Sequence, residues 1–250
     1  MSDDSRPGVP SARERLRVER ERDRQRAKRL RALKVTGGAV LVLGVAALVG
    51  VAVAVTGKGG SESTDAQPVS TGASDAPVTM TVYEDFRCPA CAQFEKQFRG
   101  TVNELRDAGK LRVDYHLVTI IDGNLGGQGS ARAAGAAMCA HDENAFVPYH
   151  DVLYANQPPE QNDAFASKDR LLKLAREVPG LRTVQFEKCV RDELKRGRVE
   201  RTNAAFLDSG YNATPTVLID GKNVYGDQND PFTPQELRKL VERKAGNTSG

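Results

Sequence analysis

The chain is poor in the residues that build metal sites. It holds three histidines in 250 residues, none in a paired spacing, and four cysteines, of which only Cys88 and Cys91 form a CxxC pair. A zinc site built on one CxxC needs two further ligands, usually a second such pair or spaced histidines, so no metal is expected. Basic surface is lacking where nucleic acid would need it. Residues 1–34 carry 12 Lys and Arg against 6 Asp and Glu, leaving 24 against 27 in the other 216, a net of −3. The formal charge of +3 therefore sits in the tail, and no nucleic-acid partner is expected for the rest. Internal repeats are absent. The glycine-rich stretch DGNLGGQGS, residues 122–130, lacks the Gly-Lys-Ser/Thr ending of a phosphate loop and reads as a turn before a helix. With 39% hydrophobic and 28% charged residues, disorder of the whole chain is excluded.

Charge itself is missing from Val35 to Val55, between Lys34 and Lys58. As a helix this run reaches roughly 30 Å, the thickness of a bilayer's hydrocarbon core. A cleaved signal has a shorter apolar region of about 7–15 residues, so 35–55 reads as an uncleaved single-pass anchor, although Ala52-Val53-Ala54 leaves cleavage open. The Lys and Arg excess before it places 1–34 in the cytoplasm as a solvated, topology-setting tail. Residues 56–77, rich in Gly, Ser, Thr, Ala and Asp, read as a flexible linker, and 78–250 as the folded extracytoplasmic domain with all four cysteines.

Val78, Met80 and Val82 alternate with Thr79, Thr81 and Tyr83, a strand running straight into DFRCPAC. From Cys91 the apolar positions Phe94, Phe98, Val102 and Leu105 form one helical stripe, closed near Gly109. Cys91 starts that buried stripe, whereas Cys88 sits at the helix N-terminus with Pro89 suited to the first turn. Unpaired N–H groups and the positive dipole end there favour a thiolate, so Cys88 is the attacking sulfur and the shielded Cys91 resolves the mixed disulfide.

A second strand follows at Leu111, Val113, Tyr115 and Leu117, with His116 an ordinary strand residue. Helical patterns then fill about 130–209, around Met138, Leu153, Leu174, Cys189 and Phe206. Val217-Leu218-Ile219 reads as a strand, Asp220-Gly221 as a hairpin turn, and Thr233-Pro234-Gln235-Glu236 as the capping box of a last helix. Cys139 and Cys189 lie on apolar sides of two inserted helices. Outside a membrane they read as a structural disulfide; two buried free thiols, or a second redox pair feeding Cys88 and Cys91, stay open.

A strand, CPAC at a helix start, a second strand, a helical insertion, then NATPTVLIDGK and a final helix resemble the thioredoxin superfamily in its DsbA-like, membrane-anchored bacterial branch, over about 78–245. The resemblance implies an α/β thioredoxin-like fold with an inserted helical subdomain, preceded by one transmembrane helix. It also implies a cis peptide at Thr214-Pro215 beside Cys88, with Thr214, Pro215, Pro89 and Ala90 meeting an extended substrate segment. Two positions depart from the best-known pattern: Ala90 stands where that pattern has His, and Val82 where it has a buried acid. Asp85 is then the candidate to accept or relay the proton of Cys91, while Glu84 reads as a solvated surface acid.

The expected function is an extracytoplasmic thiol:disulfide oxidoreductase that donates its Cys88–Cys91 disulfide to exported proteins with reduced cysteines, without a dissociable cofactor. The resemblance implies re-oxidation by a quinone-linked membrane partner of the DsbB or vitamin K epoxide reductase type. A reductase or isomerase of the same fold, or a non-catalytic peptide-binding module, are the alternatives.

Overall fold

A computed structural model of the chain describes residues 66–227 and 231–248. The basic tail 1–34, the run 35–55 and linker residues 56–65 lie outside the described residues. Among the described residues no helix is long and apolar enough to cross a membrane.

The two alternating stretches are strands β2 (Val78–Glu84) and β3 (Leu111–Leu117), paired in parallel with Val82 opposite Tyr115. Parallel pairing needs a crossover, and helix α1 (Pro89–Asp107) supplies it. Strand β4 (Thr216–Ile219) pairs antiparallel with β2 on its other side, and the short β5 (Lys222–Asn223) follows after the turn at Asp220, φ 46°, and Gly221, φ 81°. With β1 (Val69–Thr71) at one edge, the mixed sheet runs β1-β3-β2-β4-β5.

Strand β1 (Val69–Thr71) pairs antiparallel with β3, Val69 opposite Tyr115, and corrects the linker reading: part of 56–77 belongs to the sheet. Arg198 fastens its approach by donating to the carbonyls of Gln67 and Pro68. Next to it Gly72 has φ 90°, and a Cβ there would lie 2.5 Å from the carbonyl oxygen of Leu111, so the chain bends into the sheet edge only with glycine.

Between β3 and β4 lie the inserted helices: α2 (Ile120–Leu125), α3 (Gly129–Asp142), α4 (Phe146–Ala155), α5 (Lys168–Leu174), α6 (Val184–Arg191) and α7 (Arg196–Asp208). The glycine stretch is therefore more than a turn, since residues 122–125 are already helical. The amides a phosphate would use are taken: Asp163 accepts from the N–H groups of Gln128 and Gly129, and Asp122 from those of Ser130 and Ala131. The last helix, α8 (Pro234–Thr248), starts at the expected capping box, where Glu236 accepts from the Thr233 N–H and Thr233 Oγ1 from the Glu236 N–H. Its Leu237 and Val241 are fully buried, and α8 packs on α1.

Candidate active site

Strand β2 delivers the chain to a tight turn that aims the first sulfur at a helix end. The N–H of Cys88 donates to the carbonyl of Asp85 at 2.9 Å, and Cys88 then takes the N-cap position of α1 with extended backbone, φ −76° and ψ 118°. Pro89 occupies the first helical position. No side chain caps the helix, so its free N–H groups face the sulfur.

The two sulfurs differ as the spacing predicts. Cys88 is pushed down to about 6, chiefly because the Cys91 thiol donates to its thiolate; burial opposes this, and Thr214 and the N–H groups of Cys91 and Ala90 add to it. At pH 7 roughly nine-tenths of Cys88 is ionised. Burial holds Cys91 well above the ordinary thiol value, and the anion at Cys88 and the Glu84 charge push the same way. The main stabiliser of the Cys88 thiolate is thus its own partner cysteine, with Thr214 next and the helix amides after it.

Across from the pair, the Thr214-Pro215 peptide is cis, and the protonated Cys88 donates to the Thr214 carbonyl at 3.3 Å. Residues 126 positions apart meet here because β4 lies beside β2 in the sheet. Thr214 Oγ1 is buried and makes no hydrogen bond, and the Thr214 side chain helps to lower the pKa of Cys88.

Reading Glu84 as a solvated acid is corrected: Glu84 and Asp85 are both fully buried. Glu84 continues the period-two face of Val78, Met80 and Val82, a signal present in the sequence. Its Oε1 lies 2.7 Å from Nε2 of His150 on α4. Asp85 instead spends both oxygens on backbone, accepting from the N–H of Arg87 at 2.8 Å and of Ile121 at 2.9 Å. Burial raises it to about 6, against the hydrogen bonds that lower it. Glu95, one turn after Cys91, lies on the same buried stripe although its type points to the surface, as with Glu84.

Glu84, Glu95 and His150 bring one ligand-type atom each within 4.8 Å of one another, the only such group among the described residues. All three are sealed from solvent, and Glu84 and His150 already bond each other.

Two further residues set the motif, and neither shows a periodic signal. Arg87 is 1% exposed, lies 2.7 Å from Asp122 and 3.0 Å from Asp163, and donates to the carbonyls of Gly126 and Glu160. Gln157 Nε2 donates to the carbonyls of Phe86 and Cys88. Together they tie the start of α1 to two loops of the insertion. Cys139 on α3 and Cys189 on α6 are joined in a disulfide, with Cα atoms 5.9 Å apart, whereas Cys88 and Cys91 are free.

The comparisons agree with this geometry. A protein-family model described as thioredoxin matches residues 64–243. The chain is 27% identical over 176 residues to a probable disulfide bond formation protein D of Bacillus cereus, covering 68% of this chain and 79% of that protein. It is 24% identical over 190 residues to disulfide bond formation protein D of Bacillus subtilis, covering 74% and 80%. Oxidised Mycobacterium tuberculosis DsbA superposes with a TM-score of 0.61 at 30% identity, covering 72% of this chain and 93% of the other. A free CxxC pair with one easily ionised sulfur, facing a cis-proline strand inside this matched region, leads to one assignment: the chain belongs to the thioredoxin family.

Proposed function

We propose that this thiol:disulfide oxidoreductase works as an oxidase, donating its Cys88–Cys91 disulfide to exported proteins as they fold. The observation that carries the reading is the inequality of the two sulfurs. A thiolate stabilised at Cys88 favours the reduced enzyme, which makes the oxidised enzyme a strong disulfide donor.

The steps balance on this chain's own atoms. A substrate thiolate attacks Cys88 Sγ, and a new S–S bond forms as the Cys88–Cys91 bond breaks, its electron pair leaving on Cys91. Burial disfavours charge there, so Cys91 takes up a proton. A second substrate thiolate then attacks the substrate sulfur of the mixed disulfide, and Cys88 leaves as its stabilised thiolate. Thr214 and Pro215, with Pro89 and Ala90, form the docking edge. With Cys88 oxidised or ionised, the Thr214 carbonyl has no thiol proton to accept and can pair with an extended peptide. Asp85 takes a positioning part, since both its oxygens hold backbone. The Cys139–Cys189 bond is read as a structural staple of the insertion.

The apolar run 35–55 would tether the domain outside the membrane, close to a quinone-linked re-oxidase of the DsbB or vitamin K epoxide reductase type. No dissociable cofactor enters these steps.

The test compares oxidative refolding of a reduced, denatured substrate with reduction of insulin, after equilibrating the protein in glutathione buffers. Efficient refolding with weak insulin reduction supports the oxidase, and the opposite pattern reverses the direction. Peptide binding that survives Cys88→Ser while wild type shows no catalysed exchange would identify a binding module.

A further inference from the structure

The insertion holds a cavity that the exchange steps do not use. Its volume is about 460 Å³, within the range of small-ligand sites, and none of Cys88, Cys91, Thr214 and Pro215 lines it. Helices α3, α6 and α7 form its walls, with Thr119, Asp122 and Leu171 completing them. Two braces fix the walls relative to one another. Cys139 and Cys189, both lining residues, tie α3 to α6 by their disulfide, and Asn203 on α7 accepts from the Thr119 N–H at 2.9 Å.

Small side chains leave the space free. Helix α3 turns Ala131, Gly135 and Ala136 toward it, on one face by their spacing. Gly135 is half-buried, and a Cβ there would meet no side chain and no other element within 4 Å among the described residues. Glycine inside a helix is destabilising relative to alanine, and no close approach requires it here, so its effect is to keep the cavity open. Val190, Val199 and Leu207 continue the apolar lining. Leu207 is 62% exposed, which places a large apolar side chain at the mouth.

The rim is cationic. Residues 182–201 hold 7 Lys and Arg against 4 Asp and Glu, a net of +3, whereas residues 35–250 as a whole sum to −3. One carboxylate serves three cations: Glu193 Oε1 lies 2.7 Å from Lys168 and 3.2 Å from Arg132, and its Oε2 lies 3.8 Å from Arg196. Arg196 also reaches Glu200 at 2.9 Å, and Lys195 pairs with Asp142. Asp122, the remaining acid of the lining, is taken by Arg87 and by the amides of Ser130 and Ala131. Positive charge is therefore left over around Glu193, and an anionic group can share its donors.

We propose that this cavity binds an acyl chain with an anionic head, the chain against Gly135, Val190 and Val199 and the head among Arg132, Lys168 and Arg196. An apolar lining alone would accept any apolar molecule; the surplus of cations at the rim selects the sign of the head. A free fatty acid and one chain of an anionic membrane lipid share this chemistry. The site is separate from the sulfurs and does not depend on the direction in which they exchange.

The test holds the full chain in nanodiscs of uncharged phosphatidylcholine and irradiates it with decanoate bearing a diazirine at the chain end. Mass spectrometry maps the labelled peptides, and a matching decanol probe reports on the chain without the charge. Label is expected on the peptides of α3 and α7. Gly135→Leu fills the space with a better helix former, so labelling there should fall at least tenfold with both probes while disulfide exchange keeps the wild-type rate. Glu193→Gln removes the carboxylate that competes for the rim cations, so labelling by decanoate should rise about threefold or more and labelling by decanol should stay unchanged. A diazirine-bearing phosphatidylglycerol in the disc separates the sources: label from the lipid assigns the ligand to the membrane, label from the free acid alone to a soluble amphiphile, and either supports the site. No label on α3 or α7 from any probe, or label that a folded Gly135→Leu leaves unchanged, overturns it. Equal responses of the two probes to Glu193→Gln overturn the anionic head. If Gly135→Leu does not fold, the Glu193→Gln comparison decides alone.

Discussion

Cys88 and Cys91 are three residues apart, yet the fold gives them opposite acidities, and this can be read one sulfur at a time. Iodoacetamide should modify Cys88 of the reduced protein with a rate that rises through a midpoint near pH 6, while Cys91 stays unmodified to pH 8 and beyond. Mass spectrometry of the alkylated peptides reads both, and equal labelling at pH 7 would contradict the assignment. Cys91→Ala, which removes the donor, should move the Cys88 midpoint upward, because the largest stabiliser of the thiolate is the Cys91 thiol. The adjacent Arg87 belongs to stability rather than acidity. It sits buried between Asp122 and Asp163, so Arg87→Met leaves two carboxylates facing a side chain that cannot pair with them. The expected loss is about 3 kcal/mol in urea unfolding, since removing one partner of a buried pair leaves uncompensated charge. The sequence places Arg87 inside DFRCPAC but gives no sign of its partners, which lie 35 and 76 positions later and reach it only through the folds of the insertion.

Elements specified by a local pattern are legible in the sequence, and those that depend on distant partners are not. The stripe of α1, the alternation of β2 and β3, the Asp-Gly turn and the capping box of α8 each repeat or cap within a few residues, and each stands where the pattern puts it. Strand β1 is three residues long, too short for any period, and exists because β3 offers an open edge and Arg198 anchors the approach. Glu84 and Glu95 were legible by position but not by type: both fall on buried faces, and the expectation that acids face water hid them. The insertion is stapled by Cys139–Cys189, which joins α3 to α6 across 50 positions. In the chain-entropy model a loop of that length is worth about 4 kcal/mol. Replacing both cysteines with serine should lower the urea-unfolding stability by up to about that amount. Exchange by the surviving fold should proceed at the wild-type rate. A large loss of turnover in the still-folded double variant would instead mark this disulfide as a redox partner of Cys88 and Cys91.

For the whole molecule, the acidity of one sulfur becomes a difference in folding stability between two redox forms. In the reduced form the pKa of Cys88 is lowered from near 9 in the unfolded chain to about 6. Its contribution is therefore present in full above the unfolded value and fades as pH falls through the folded one. The oxidised form has no titrating Cys88, so it lacks this dependence. Asp85 and Glu95 also titrate in this range, at about 6 and about 7, but they do so in both forms and largely cancel in the difference. Cys91 sets the upper limit of the window. Its raised pKa stabilises the reduced fold below the unfolded value and ceases to do so as pH climbs past it. Between about pH 5.5 and 8.5 the melting temperature of the reduced protein, measured relative to the oxidised protein, should therefore rise steadily with pH. Thermal scans of both forms at four or five pH values measure it. In Cys88→Ser no Cys88–Cys91 disulfide can form, and the melting temperature of that single form should lack the component seen in the reduced wild type. A wild-type difference that is flat across the window, or that falls, would mean the thiolate is not stabilised by the folded state, and disulfide donation would lose its thermodynamic source.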